Sequence, residues 1–104
     1  MDFLDLAKKR YSVRSYKKTP VEEEKVACIL EAARVAPSAA NLQPTRLVVI
    51  DNAEGMEKLS RAANVYSAPL AIIVCADHAK AWKRPADGKS TVDIDASIAT
   101  DHMM

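Results

Sequence analysis

The sequence predicts an α/β (α+β) fold, a mixed sheet flanked by helices. Three observations point there. Apolar residues recur at helical spacing in separate segments, as in Val26, Ile29, Leu30 and Ala33. Leu47 to Ile50 is a short β-branched run, which reads as a strand. Leu70 to Ala76 is apolar without a break, the pattern of a central strand buried on both faces.

The elements follow in order. Residues 3–10 form a short amphipathic helix with Phe3, Leu4, Leu6 and Ala7 on its apolar side. Thr19-Pro20 opens a second helix: Thr19 suits the cap, Pro20 the first turn, and Glu22, Glu23 and Glu24 complement its positive end. This helix ends before Pro37, which disfavours helix at the preceding residue. The strand Leu47–Ile50 leads into Asp51-Asn52, a turn and helix start, and Met56, Leu59 and Ala63 mark the inner face of a third helix. Pro69 punctuates the chain before the second strand. Residues 78–90 are polar and irregular, with turn signals at Pro85 and Asp87-Gly88. A last helix begins at Ser90 or Thr91 and runs to Met104 without a stop signal. Ile94, Ile98 and the terminal methionines are its apolar contacts, and Ala96, Ser97 and Ala99 suit close helix–helix packing.

With 104 residues there is one domain at most. A hydrophobic content of 49% and a charged content of 28% are ordinary for a globular protein. The net charge is +1, from 15 basic and 14 acidic residues, with no clustered basic excess of the kind a nucleic acid requires. The longest apolar run is too short to span a bilayer, and Met1 to Asp5 does not resemble a signal peptide. Cys28 and Cys75 lie far apart in unlike contexts and read as buried free thiols. His78 and His102 are not spaced as ligands of one metal. The expected compartment is the cytoplasm. Only Gly55 and Gly88 are glycine, so a glycine-rich phosphate loop is excluded and any phosphate must be held by side chains and helix-end amides.

Two polar turns carry the chemistry. In Arg10-Tyr11-Ser12-Val13-Arg14-Ser15-Tyr16, an extended backbone puts Arg10, Ser12 and Arg14 on one side. Guanidiniums bind phosphate bidentately and keep their charge. The competing reading is a solvated basic edge beside Lys8, Lys9, Lys17 and Lys18. In the second turn, Ala36 to Pro44, prolines stiffen both ends and Ser38, Asn41 and Gln43 stand close together. Carboxamides both donate and accept, which matches the polar edge of an isoalloxazine; an ordinary helix-capping loop is the competing reading.

Together these turns resemble the nitroreductase family of FMN-dependent oxidoreductases. The resemblance rests on the Arg-Tyr-Ser-Val-Arg opening, the Pro-Ser-x-x-Asn-x-Gln-Pro turn, Ala68-Pro69 before a buried strand, and the helix from Asp93 to Met104. It implies that residues 1–104 form an incomplete nitroreductase-like FMN-binding domain, truncated within the central helix of a homodimer. It also implies two FMN molecules at the subunit interface. Arg10, Tyr11, Ser12 and Arg14 would hold the ribityl phosphate and one ring edge. Pro37, Ser38 and Ala39 would approach the flavin from the partner subunit, and Asn41 and Gln43 would orient the ring or its loop. NADH or NADPH would reduce flavin N5, and a small-molecule acceptor, a nitroaromatic or quinone, would take the electrons. No catalytic acid or base is required. Trp82, with Lys83 and Arg84, would border the substrate channel, or simply pack against the domain. Thr45 stands where many relatives carry a large aromatic. The alternative is a catalytically impaired member that dimerises or binds flavin weakly.

Overall fold

A computed structural model describes residues 1–104. Helix α1 spans Phe3–Lys9, and the Asp2 carboxylate caps it by accepting the Asp5 N–H at 2.8 Å. Helix α2 spans Glu23–Arg34, strand β1 Thr45–Ile50, helix α3 Ala53–Ser60, strand β2 Ala71–Ala76 and helix α4 Val92–Met103. A single 3-10 turn, Ala39–Asn41, lies between α2 and β1. The α+β class predicted from the sequence is the class observed.

The two strands pair antiparallel, from Thr45 opposite Ala76 to Ile50 opposite Ala71. Helix α4 lies across α2 and both strands, and its packing makes the core. The stripe it buries is Val92, Asp95 and Ala99, spaced as one helix face. On α2 the matching residue is Ala33.

Several local expectations differ from the structure. The second helix does not begin at Thr19-Pro20. Glu22 occupies the cap position without a side-chain bond, and Glu23 and Glu24 form the acidic first turn. Thr19 lies in a bend, and Thr19 and Val21 line a concavity with Tyr66, Pro69 and Leu70. Helix α3 starts after Asp51-Asn52, as expected, with Asn52 as its cap, but stops at Ser60. Ala63 therefore lies beyond it and is exposed, while Met56 and Leu59 are half-buried. Strand β2 is not buried on both faces. Having only β1 as a neighbour, it alternates, and Ile73 and Cys75 face outward. Both cysteines are free thiols, but exposed rather than buried: Cys28 sits on the outer side of α2, away from Ala33. The apolar side of α1 is likewise uncovered, with Phe3 83% exposed, and Ile94 of α4 is 59% exposed.

These uncovered residues reflect an open shape. The chain exposes 7950 Å², against about 5,800 Å² for a folded monomer of its mass. Its radius of gyration is 15.6 Å, against about 13 Å for a domain of this length. No helix is long and apolar enough to cross a membrane.

Candidate functional site

The Arg10–Arg14 segment lies outside the helices and strands, and its residues are exposed. Arg10, Tyr11, Ser12 and Arg14 line one open concavity of about 740 Å³. Its other walls are apolar, supplied by Ile29 of α2, Leu70, Ile72 and Val74 of the β2 region, and Met103 of α4. Tyr66, which the sequence reading did not single out, is also there and adopts a left-handed backbone. Five ion pairs form in the chain, and neither Arg10 nor Arg14 takes part in any. Their charges are uncommitted. Tyr16 closes the segment locally by donating its hydroxyl to the Val13 carbonyl at 2.8 Å.

The second turn is built differently. Pro44 is fully buried, and its carbonyl accepts the Asp77 N–H at 2.9 Å, which pins the turn to the end of β2. Ala40, Asn41 and Gln43 all have positive φ, between 49° and 53°. Such residues are uncommon outside glycine and gather at ligand-binding sites. The Ser38 hydroxyl accepts the Gln43 backbone N–H at 3.0 Å and retains its own proton. The Gln43 carboxamide donates to the Asn41 side-chain oxygen at 3.3 Å, leaving both amides exposed.

Within one chain the two turns do not form a single site. Pro37, Ser38 and Gln43 line a second concavity of about 500 Å³, which shares no residue with the first. Ala39 and Asn41 line neither. The second concavity also holds Arg34, Arg46, Lys80 and Asp95. Arg34 is committed: it binds Glu31 bidentately, at 2.7 and 2.6 Å. That bond holds the Glu31 carboxyl below its usual range and raises the Arg34 guanidinium above its own.

Asp95 is the residue the sequence reading undervalued. It lies in the acidic first turn of α4, yet it is 1% exposed. It accepts the Ala39 N–H and the Thr91 hydroxyl, each at 3.0 Å. The signal available in the sequence was its spacing with Val92 and Ala99, which places it on the buried stripe. Trp82 is half-buried, and its carbonyl accepts the Thr91 N–H at 3.0 Å. It lines neither concavity. His78 and His102 are both exposed, and no three His, Cys, Asp or Glu side chains are grouped to hold a metal.

Comparison with known proteins adds four findings. The family model described as "Nitroreductase family" matches residues 7–64. A solved nitroreductase family protein from Clostridium difficile 630 superposes with a TM-score of 0.96 at 58% identity, over 99% of this chain and 60% of that one. An FMN-dependent nitroreductase from Clostridium difficile R20291 superposes at 0.81 with 36% identity, over 97% and 57%. Among curated sequences, an NADH dehydrogenase of Thermus thermophilus is 43% identical over 81 residues. That alignment covers 74% of this chain and 40% of the relative, so the chain spans less than half the length of such relatives.

Proposed function

The chain belongs to the nitroreductase family, and on that premise we propose that it is an FMN-dependent oxidoreductase moving hydride from NADH or NADPH to a small acceptor such as a nitroaromatic or quinone. One observation carries this reading. Arg10 and Arg14, free of ion pairs, share a concavity with Ser12 and an apolar wall. Two free guanidiniums and a hydroxyl fit a phosphate, and the apolar wall fits a flat ring. When bound, FMN supplies the redox chemistry, accepting hydride from the nicotinamide and passing electrons to the acceptor.

The residues have the following roles in this reading. Arg10, Ser12 and Arg14 bind the phosphate, and Tyr11 lies along one ring edge. Ser38 uses its retained proton to donate to a ring acceptor, while Pro37 and Ala39 shape the approach. Asn41 and Gln43 orient the turn through their mutual amide bond. Because the two turns line separate concavities, a complete site would take the first from one chain and the second from a second copy. A homodimer is therefore part of the proposal, and the excess exposed surface supports it. The free thiols of Cys28 and Cys75 agree with the cytoplasm as its compartment.

The openness of both concavities also favours a second reading: a catalytically impaired polypeptide that dimerises or binds flavin weakly. The visible spectrum of the purified protein separates the two. A yellow protein bleached by NADH supports the oxidoreductase. A colourless protein that stays unresponsive to added FMN and NADH rejects it.

A further inference from the structure

Asp95 is nearly inaccessible to solvent, yet no lysine, arginine or histidine pairs with it. Its two oxygens take separate donors. Oδ1 accepts the backbone N–H of Ala39, and Oδ2 accepts the hydroxyl of Thr91. Ala39 starts the turn that contains Ala40, Asn41 and Gln43 at positive φ. Thr91 precedes α4, and its Oγ1 also lies 3.3 Å from the Trp82 carbonyl. A hydroxyl has one proton, so it donates to one of these acceptors at a time. Asp95 thus stands between the strained turn and the segment carrying Trp82.

We propose that Asp95 is a positioning residue, holding the 38–43 turn in its flavin-facing shape through the Ala39 amide. The proposal rests on the reading of Ser38 and Ala39 as flavin neighbours. Left-handed backbone at several non-glycine residues is costly and persists only where the surroundings hold it. An amide hydrogen-bonded to a buried side-chain oxygen is a restraint that such a turn cannot replace with water. The bond spans 56 residues of sequence, so it ties the turn to α4 rather than to its own neighbours. A neutral amide at position 95 can preserve the restraint. Its carbonyl accepts the Ala39 N–H, and its NH2 faces Thr91 Oγ1, whose proton then turns to the Trp82 carbonyl.

The test compares the chain of residues 1–104 with its Asp95→Ala and Asp95→Asn variants, and with Asp93→Ala as a control on the exposed side of the same helix turn. Amide exchange is followed by NMR, and FMN affinity by fluorescence quenching. Asp95→Ala should speed exchange at Gln43 about tenfold or more while amides inside α2 keep their rates. It should weaken FMN by a similar factor. Asp95→Asn should restore both to near the wild-type values, and Asp93→Ala should change neither. If Asp95→Ala fails to fold, Asp95→Ser, whose hydroxyl is too short to reach Ala39, should show the same local loosening. The proposal is overturned if exchange at Gln43 is unchanged, if it rises equally throughout the chain, or if Asp95→Asn behaves like Asp95→Ala. If the wild type binds no FMN, the flavin reading fails, and the exchange pattern alone still decides whether Asp95 holds the turn.

Discussion

The Cγ2 atom of Ile50 stands 2.7 Å from where a Cβ on Gly55 would project. The same Cβ would lie 2.9 Å from the Asn52 side-chain oxygen, which accepts the Gly55 N–H at 2.7 Å and caps α3. Glycine inside a helix usually costs about 0.5–1 kcal/mol relative to alanine. Here the added methyl would push on the end of β1 and on the cap together. Gly55→Ala should therefore destabilise the protein, by roughly 1–2 kcal/mol once lost cap geometry and overpacking outweigh propensity. Thermal or urea unfolding measures it, and a rise in midpoint would show that Ile50 yields without strain.

Flavin affinity should separate Arg10 from Lys18. Arg10 lines the apolar-walled concavity, and Lys18 does not. A charge-assisted contact contributes about 1.5–3 kcal/mol, so Arg10→Ala should weaken FMN roughly tenfold to a hundredfold. Lys18→Ala should change little. Equal losses in a quenching titration would mean that the basic segment is only a diffuse charged edge.

Association should follow from the uncovered apolar residues. Phe3, Leu4 and Leu6 of α1, with Ile94 and Met104 at α4, are all exposed. Large apolar side chains left in water are candidates for an interface. Light scattering at micromolar concentration should give twice the 11.4 kDa chain mass. Replacing Phe3 and Ile94 by polar residues should shift the population toward monomer.

Turnover by residues 1–104 should be slow. Both concavities are open, and a displacement of about 1 Å at the reacting centre can cost on the order of a hundredfold in rate. With saturating FMN and a quinone acceptor, NADH consumption corrected for free flavin should fall below roughly 1 per second. A faster rate would show that this part of the fold suffices to position the flavin.

The Asp87 carboxyl should titrate below the ordinary aspartate value. Its shift comes first from the Arg84 side-chain hydrogen bond and next from the Lys89 backbone N–H. A depressed value means that the interaction is present above the unfolded carboxylate range and is lost as pH falls through the folded one. Both side chains are exposed, so the effect on stability is small. An NMR titration of the Asp87 carboxyl carbon should show the low midpoint, and Arg84→Ala should raise it.

The class, the places of the two strands and the helix start at Asp51-Asn52 were legible in the sequence, because these depend on neighbours a few residues away. The expected alternation of Arg10, Ser12 and Arg14 does not separate them from their neighbours, since Tyr11 and Val13 line the same concavity. Family membership was legible from the two polar turns, whose residue types and spacing are local facts. Only the tertiary structure decided that Asp95 points inward to Ala39, that the two turns line different concavities, and that Ile73, Cys28 and Cys75 face outward. Apolarity states what a residue would gain by burial, but whether it is covered depends on which distant segment lies above it. Strand β2 pairs with β1 alone and no residue of α1 is buried, so their apolar faces stay open. Asp95 is buried because the crossing of α4 with α2 and β1 brings an amide from 56 residues away to meet it.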